Sequence, residues 1–247
     1  MFPILQLGPL AVRLPGLILL LGVWWAMSLI EREASRRELP ATDLYNLAFY
    51  SLVAGLLGAR LWYAARFFHI YWENPLSLFS LNPATLSVGG GVFVGLAAAF
   101  VFGQRKKLPF WPTLDALTPG LTLFAVFLGL AHLSSGDAFG APTGLPWGIH
   151  LWGEDRHPSQ VYEILSAGVI LAVLRQMAQR PSVPGFTFLA WIGLSAGARL
   201  FLEAFRGDSV IVLGSLRSAQ LASLTALMLS LWALRIKARS EKEARET

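Results

Sequence analysis

The sequence predicts an all-α integral membrane protein, a polytopic bundle of about seven transmembrane helices. Of its 247 residues, 55% are hydrophobic and only 14% are charged, whereas a soluble domain carries about 25% charged residues. The mean hydropathy is +0.55, and seven apolar stretches approach the roughly 20 residues that a helix needs to cross a bilayer. No domain boundary is visible, so the sequence predicts one transmembrane domain over residues 1–247, with a polar tail at 240–247.

The predicted spans lie, in chain order, at residues 15–31, 44–67, 86–103, 114–134, 159–178, 184–204 and 217–235. Basic clusters follow the first, third, fifth and seventh spans: Arg32, Arg36 and Arg37; Arg105, Lys106 and Lys107; Arg175 and Arg180; and Arg235, Lys237, Arg239, Lys242 and Arg245. Seven spans put all four clusters on one side of the membrane, and basic loops face the cytoplasm. The sequence therefore predicts an outside N-terminus and a cytoplasmic C-terminus.

Charge and composition exclude several classes of function. The net charge of +5 would suggest nucleic acid as the partner of a soluble protein, but here the basic residues fall in loops and in the tail. Membrane orientation and contact with anionic lipids explain them, and we expect no nucleic-acid partner. The absence of cysteine excludes disulfides, thiolate metal sites and a cysteine nucleophile. No histidines or carboxylates have metal-ligand spacing, so we expect no metal and no cofactor.

A polar run from His157 to Glu163 opens the fifth predicted span and is the most informative motif of the chain. Ionisable groups inside hydrophobic spans are costly to bury and by default mark a functional site. Pro158 fits the first helical position and His157 the cap before it, while Gln160 and Glu163 share a helix face. The run indicates either a headgroup or thiol site at the outer membrane surface, or a capped helix whose polar first turn lies in water.

A second polar set, Arg199, Glu203 and Arg206, lies in and just after the sixth predicted span. Its spacing of four and three residues places the three side chains on one helix face. A salt bridge from Glu203 to one arginine would leave the other to bind a phosphate, because the planar guanidinium matches phosphate oxygens. The alternative is a structural ion pair near a helix end, with Arg206 reaching the interface.

Three more polar residues and a glycine run complete the candidates. Arg60, late in the second span, is a candidate ligand. His132, near the outer end of the fourth span, is a candidate catalytic group, although a lone histidine in an apolar run is usually a hydrogen-bonded packing residue. Asp115, at the start of the fourth span, is interpreted as a helix cap. The run 89–91 is Gly-Gly-Gly; no strand precedes it and no Lys-Ser follows, so close helix packing explains it better than a phosphate loop.

These motifs resemble those of the bacterial prolipoprotein diacylglyceryl transferases, from about Arg13 to Ser209. The run His157-Pro158-Ser159-Gln160 with Tyr162-Glu163 is similar to that family's His-Pro-Ser-Gln-Leu-Tyr-Glu motif. The family's segment Tyr-Gly-x-x-Arg…Glu…Arg-x-x-Asp resembles Gly197-Ala198-Arg199, Glu203 and Arg206-Gly207-Asp208. Its Gly-Gly-Arg turn resembles Gly58-Ala59-Arg60, and its Asp-x-x-x-Pro motif is matched by Asp115 and Pro119.

The resemblance implies a reaction in which phosphatidylglycerol gives its diacylglyceryl group to the thiol of a lipobox cysteine, forming a thioether and releasing glycerol phosphate. It implies seven spans in the cytoplasmic (inner) membrane of a bacterium, and as partners phosphatidylglycerol, prolipoprotein signal peptides and membrane lipids. We assign catalytic roles to His132, His157 and Glu203. We assign substrate contacts to Arg60, Asp137, Gly140, Gln160, Tyr162, Glu163, Arg199 and Arg206.

The sequence departs from the family pattern at several polar positions. Counted without gaps from Asp115, the family's arginine falls on Gly129 and its asparagine on His132, and its histidine before Gly-Gly is Gly89. If the chain is active, His132 is the favoured proton acceptor, because histidine accepts a proton near neutral pH, and His157 would orient a neighbour. The departures leave open a catalytically silent homologue that binds phospholipid or lipoprotein. A transporter is a further alternative, although no inverted repeat of broken helices is visible.

Overall fold

The computed structural model describes residues 4–7, 10–79, 82–178, 183–212 and 216–246, and it is mostly helical. Its helices are, in order, α1 (Leu14–Arg36), α2 (Ala41–Arg66), α3 (Phe68–Glu73), α4 (Val88–Arg105), α5 (Phe110–Ser135), α6 (Ser159–Met177), α7 (Phe186–Leu202) and α8 (Ser218–Glu246). In the described part of the chain, six helices are long and apolar enough to cross a membrane, namely α1, α2, α4, α5, α7 and α8. The chain is therefore an all-α multi-pass membrane protein in its main architecture.

The long helices occupy the seven predicted apolar stretches, with two differences at the C-terminal side. The predicted polar tail at 240–246 continues α8 as helix, and Thr247 and Arg180 lie outside the described residues. The fifth predicted span corresponds to α6, which is not among the six candidate spans. Its 19 residues make a helix of about 28 Å, but its first turn is polar.

In the part of the chain that the structure describes, three antiparallel hairpins connect to the helices: β1–β2 (Ile4–Leu7 and Leu10–Arg13), β3–β4 (Ile149–Leu151 and Glu154–Arg156) and β5–β6 (Ile211–Val212 and Leu216–Arg217). The all-α prediction missed them, because strands this short leave no alternating pattern that separates them from loops. In β3–β4, Trp152 and Gly153 have positive φ values of 57° and 83°. Two such residues in succession make the turn that fits the twist of a hairpin.

The chain forms two compact units, one from Met1–Glu33 with Leu114–Thr247 and one from Ala34–Thr113. In the second unit α2 packs closely against α4. A Cβ added to Gly91 would lie 2.9 Å from the carbonyl oxygen of Gly55, so a larger residue would force the helices apart. The predicted packing role of the glycine run is thus confirmed at Gly91.

In the first unit, α6 packs against α7 and α7 against α8. Ile170, Leu174 and Ala190 form a buried core between α6 and α7. Many large apolar side chains instead point outward: Trp24 is 64% exposed and Val169 is 63% exposed. An outward apolar surface of this kind suits contact with lipid, since a water-soluble surface rarely exposes such large apolar patches.

Asp115 ties α5 to the beginning of α7. Its buried carboxylate accepts hydrogen bonds from the main-chain nitrogens of Gly185, at 2.6 Å, and Phe188, at 2.9 Å. The interpretation of Asp115 as a cap holds, but for a different helix: α5 begins at Phe110, so Asp115 lies inside α5 and caps α7. A carboxylate at a helix N-terminus is stabilised by the helix dipole. This contact fixes α7, which carries Arg199, against α5.

Candidate active site

The polar motif at the start of α6 holds the loop that follows α5. Ser159 Oγ donates a hydrogen bond to the carbonyl oxygen of Ala138 at 2.6 Å, and Gln160 Nε2 donates to the carbonyl oxygen of Asp137 at 2.8 Å. The carboxylate of Asp137 is exposed and accepts a hydrogen bond from Ser135 Oγ at 2.7 Å. The loop is therefore attached to α6 through its main chain, which a sequence motif cannot reveal.

His157 does not cap α6, which begins one residue later than predicted, with Pro158 at the N-cap position. His157 Nδ1 instead lies 3.5 Å from the hydroxyl of Tyr162, and its ring meets the ring of Phe205 edge-on at a centroid distance of 5.1 Å. Trp147 Nε1 donates to the same tyrosine hydroxyl at 3.0 Å. The motif thus contributes to an aromatic cluster beside the charged residues.

Glu163 is the centre of the charged site. Its Oε1 accepts hydrogen bonds from Arg199 Nη1 at 2.8 Å and from Arg206 Nη1 at 2.6 Å. Its Oε2 lies 3.8 Å from His132 Nδ1, which is too far for a hydrogen bond. One carboxylate therefore brings together α5, α6, α7 and the segment after α7.

The predicted common helix face holds for Arg199 and Glu203 but is wrong for Arg206. Arg199 Nη2 lies 3.0 Å from Glu203 Oε2. However, α7 ends at Leu202, a 3-10 turn covers Glu203–Phe205, and Arg206 has an extended backbone, with φ −81° and ψ 142°. Arg206 therefore reaches Glu163 from the chain beyond the helix, because the helix ends earlier than its apolar pattern suggests.

Arg206 is the more constrained of the two arginines. Its Nε and Nη2 donate to the two carboxylate oxygens of Asp208, at 2.9 Å and 2.6 Å. Burial opposes its charge, but the hydrogen bonds and charges of Asp208 and Glu163 outweigh burial and raise the pKa of Arg206 above its usual value. The side chain of Arg206 is 11% exposed and that of Arg199 is 39% exposed. Arg199 is therefore the arginine with an accessible guanidinium.

An apolar pocket of about 230 Å³ begins at Glu163 and Arg199 and runs between α5, α6 and α7. Its walls include Leu128 and Ala167, and its far end is lined by Ile170 and Trp191. Ile170 belongs to the buried core between α6 and α7, and Trp191 packs against that core. The pocket is therefore charged at one end and apolar along its length.

Gly140 lies where the main chain of the loop passes closest to His157. A Cβ added to Gly140 would lie 2.1 Å from the carbonyl oxygen of His157 and 2.7 Å from its Cβ. The next residue, Ala141, accepts a hydrogen bond from His157 N at 3.0 Å. The absence of a side chain at Gly140 thus lets the loop dock on the motif, and its predicted contact with substrate stays a prediction.

We expect Gly140→Ala to lower the free energy of unfolding by roughly 2 kcal/mol, because the clash is with main chain that cannot move aside. The melting temperature should fall by about 5 °C, measured by thermal unfolding of the purified protein in detergent. Gly144→Ala is the matched control, since a Cβ there meets nothing within 4 Å. Equal melting temperatures for the two variants would contradict the close approach.

Arg60 belongs to the second unit. It is 8% exposed, and its Nε and Nη2 donate to the carbonyl oxygens of Leu78, at 2.9 Å, and Ser77, at 2.6 Å. Its Nη1 donates to the hydroxyl and the carbonyl oxygen of Thr85. These contacts hold the connection between α2 and α4, and the predicted contact of Arg60 with substrate stays a prediction.

Two arginines in the hairpins join the site without having been predicted. Arg156 Nη1 donates to the carbonyl oxygen of Gly140 at 3.2 Å, and its guanidinium stacks over the ring of Phe139 at 5.1 Å. Arg217 contacts the segment after α7. The position of Arg156 directly before the polar motif could have indicated its role, whereas nothing around Arg217 distinguishes it from an interfacial basic residue.

The fold and these contacts define a class of protein: a multi-pass membrane protein with an arginine–carboxylate site at one end of an apolar pocket. The family profile described as prolipoprotein diacylglyceryl transferase matches residues 3–236. The chain therefore belongs to this family of membrane transferases.

Curated relatives carry the name phosphatidylglycerol–prolipoprotein diacylglyceryl transferase. The protein of that name from Synechococcus elongatus is 30% identical over 91% of this chain and 83% of its own length. Those from Trichormus variabilis and Clostridium botulinum are 28% and 26% identical, each over 92% of this chain, and the matches cover 86% and 93% of their lengths. The similarity thus spans both compact units and extends over nearly the whole of each relative.

Proposed function

We propose that this protein transfers the diacylglyceryl group of phosphatidylglycerol to the lipobox cysteine thiol of prolipoproteins. The observation that carries the proposal is the carboxylate of Glu163, which holds two arginines at the charged end of an apolar pocket. A phospholipid has the same division into an anionic headgroup and apolar chains. Family membership and the names of the relatives support the same reaction.

The accessible guanidinium of Arg199 is our candidate for the contact with the lipid phosphate, since the planar fork suits phosphate oxygens. An acyl chain would then lie along the pocket between α5, α6 and α7. Gln160 Oε1 is buried and has no hydrogen-bond partner among the described residues, so it is our candidate acceptor for a glycerol hydroxyl. Tyr162 and Arg206 would support the site from its rim.

The chemical step forms a carbon–sulfur bond and breaks the carbon–oxygen bond to the phosphate. A base takes the thiol proton, the thiolate attacks the glycerol carbon, and glycerol phosphate leaves with the bonding electrons. His132 is our candidate base, supported by its place 3.8 Å from Glu163. His157 would hold Tyr162. Glu203 would orient Arg199, which makes it a positioning group in this scheme.

The second candidate function is that of a catalytically silent homologue that binds phospholipid. The residue that favours it is Gly129. This is where the family arginine falls, and a Cβ added there would lie 2.7 Å from Ile164 Cγ1. A larger side chain at that position would therefore have to displace Ile164. In the first candidate, Arg199 supplies the positive charge and His132, one turn farther along α5, supplies the proton acceptor.

The test uses the purified full-length protein in phosphatidylglycerol vesicles with a lipobox peptide. We expect one thioether-linked diacylglyceryl peptide for each glycerol phosphate released, both measured by mass spectrometry. A peptide with serine in place of the cysteine is the matched control and should stay unmodified. In cells, the gene should restore lipoprotein mobility in a bacterium depleted of its own transferase. Bound phosphatidylglycerol without product would select the silent homologue.

We propose further that both units act as one transmembrane domain with seven spans in the bacterial cytoplasmic membrane. The length of α6 supports the seventh span, since about 28 Å approaches the roughly 30 Å of a hydrocarbon core. The four basic clusters support a cytoplasmic C-terminus. A reporter fused after Thr247 should therefore be active only inside the cell, and labelling of that fusion from outside would contradict the topology.

A further inference from the structure

Arg217 lies at the end of the β5–β6 hairpin, directly before α8, and neither its charge nor its position suggests a role. Its Nη1 nevertheless donates to the carbonyl oxygen of Arg206 at 2.7 Å and to Ser209 Oγ at 3.1 Å. The same nitrogen also donates to the carbonyl oxygen of Glu203. One guanidinium nitrogen therefore reaches three points of the segment 203–209.

The segment 203–209 carries Glu203 and Arg206, the charged residues of the site that lie beyond the end of α7. After α7 ends, Glu203 begins a 3-10 turn and Arg206 leaves it in extended conformation. The last carbonyl groups of a helix have no partner within that helix, so the direction in which the chain leaves has to be fixed from elsewhere. Arg217 supplies donors to the carbonyl oxygens at both ends of the turn, those of Glu203 and Arg206.

A chain of polar contacts continues from Arg217 to the accessible arginine. Ser209 Oγ, which accepts from Arg217, donates to Glu203 Oε1 at 2.5 Å. The other oxygen of that carboxylate lies 3.0 Å from Arg199 Nη2. The Glu203 side chain is 2% exposed, so solvent does not substitute for these contacts. Contacts thus connect Arg217 both to Arg206 and, through Ser209 and Glu203, to Arg199.

We propose that Arg217 is a positioning residue, which fixes the turn after α7 and thereby holds Arg206 on Glu163 and aims Arg199 at the lipid phosphate. The proposal rests on the proposed phosphatidylglycerol site and adds to it a residue from the hairpin before α8. The acceptors of Arg217 are two carbonyls and a hydroxyl, so it acts on the arginines through their own segment.

The backbone of Arg217 is held independently of its side chain, which makes it suitable for substitution. Arg217 pairs with Ile211 in the β5–β6 hairpin, and Ser218 N donates to the carbonyl oxygen of Val210 at 3.0 Å. Arg217→Gln and Arg217→Lys should therefore keep the hairpin and α8. Thermal unfolding and helix content of the purified variants establish this before any kinetic comparison.

The test measures phosphatidylglycerol affinity and kcat/KM for lipobox-peptide transfer, using the full-length protein in vesicles. We expect Arg217→Gln to lower both by about 10- to 100-fold, because a displacement of about 1 Å at a reacting site can cost 100-fold. Lysine should restore part of the loss, because its ammonium also carries three donors on one nitrogen but does not place that nitrogen where the rigid guanidinium places Nη1. Arg235→Gln, at an exposed position of α8, is the matched control and should leave both values unchanged.

A double-mutant cycle separates positioning from a general loss of stability. In a Glu203→Gln background, Arg217→Gln should cost less than it does in the wild-type protein, because the branch through Ser209 and Glu203 to Arg199 is already weakened while the contact with the Arg206 carbonyl remains; independent sites would give additive losses. Additive losses, or an Arg217→Gln protein with wild-type affinity and turnover, would overturn the proposal. If the wild-type protein binds lipid without turnover, the proposed function fails. The same double-mutant cycle, measured as phosphatidylglycerol affinity alone, then still tests the role of Arg217.

Discussion

Replacing Arg199 by alanine is expected to abolish phosphatidylglycerol binding and to lower transfer at least about 100-fold, the usual effect of removing one preorganised donor from a reacting oxyanion. Arg199 lies at the mouth of the apolar pocket and is 39% exposed, while two carboxylates hold its Nη1 and Nη2. Its position is thus fixed before lipid arrives, and the side chain stays partly exposed. Lipid affinity and the rate of transfer to a lipobox peptide, measured in vesicles, test this expectation.

Arg199→Lys should rescue the activity only poorly, because a lysine ammonium cannot hold Glu163, Glu203 and a phosphate in one planar arrangement. The matched control is Arg175→Ala. Arg175 is exposed and lies in the last turn of α6, whereas Glu163 lies near the start of that helix. It should bind and transfer like the wild-type protein. Equal activity of the alanine, lysine and wild-type proteins at position 199 would show that Arg199 is only a structural partner of Glu163.

Arg199 and Arg206, the two arginines that Glu163 binds, have different roles, although the sequence predicted that they share one helix face. Arg206 is fully engaged by Asp208 and Glu163 and is nearly buried, so its charge serves the arrangement of the site. Arg199 is the group that a ligand can reach. Breaking a nearly buried ion pair leaves an uncompensated charge, which explains why the site keeps acidic partners close to Arg206.

Much of the fold was predictable because spans depend on one strong variable, the length of an apolar run. The end of α7 was not: the run continues past Leu202, whereas the helix stops there and Arg206 is extended. A tertiary contact, the ion pair between Arg206 and Glu163, competes with helix propensity at that point and is invisible in a local pattern. The hairpins were missed for a similar reason, since register and turn geometry define them more than composition does.

The parts of the candidate site that depend on charged side chains could be predicted from the sequence. The parts that depend on main-chain contacts could not. Glu163 and Arg199 follow from the cost of charge in an apolar span, and the structure brings them into contact. Asp137 and Gly140 contribute through a carbonyl oxygen and through the absence of a side chain. Arg217 donates to carbonyl oxygens 14 and 11 positions earlier in the chain. No helix or strand periodicity relates residues that lie in different elements of the chain, so the sequence could not predict the contact.

Glu163→Gln is expected to change lipid binding and turnover in opposite directions. The substitution keeps the size of the side chain and an acceptor for Arg199 and Arg206, but it removes the negative charge they share. The uncompensated arginines should then hold the lipid phosphate more tightly, while the candidate base His132 loses the negative charge of the carboxylate that lies 3.8 Å from its Nδ1. We expect kcat to fall about 100-fold and the KM for phosphatidylglycerol to fall as well. A uniform binding defect raises KM instead.

The control for Glu163→Gln is Glu73→Gln, because Glu73 is 70% exposed and its recorded ion pair is with His69 on the same short helix. It should leave both kinetic constants unchanged. The variant His132→Asn, combined with Glu163→Gln, tests whether the slow turnover arises through His132: if it does, the second substitution adds little to the first. A Glu163→Gln protein with raised KM and unchanged kcat would show instead that Glu163 only assembles the lipid site, and that the thiol proton is taken by another group.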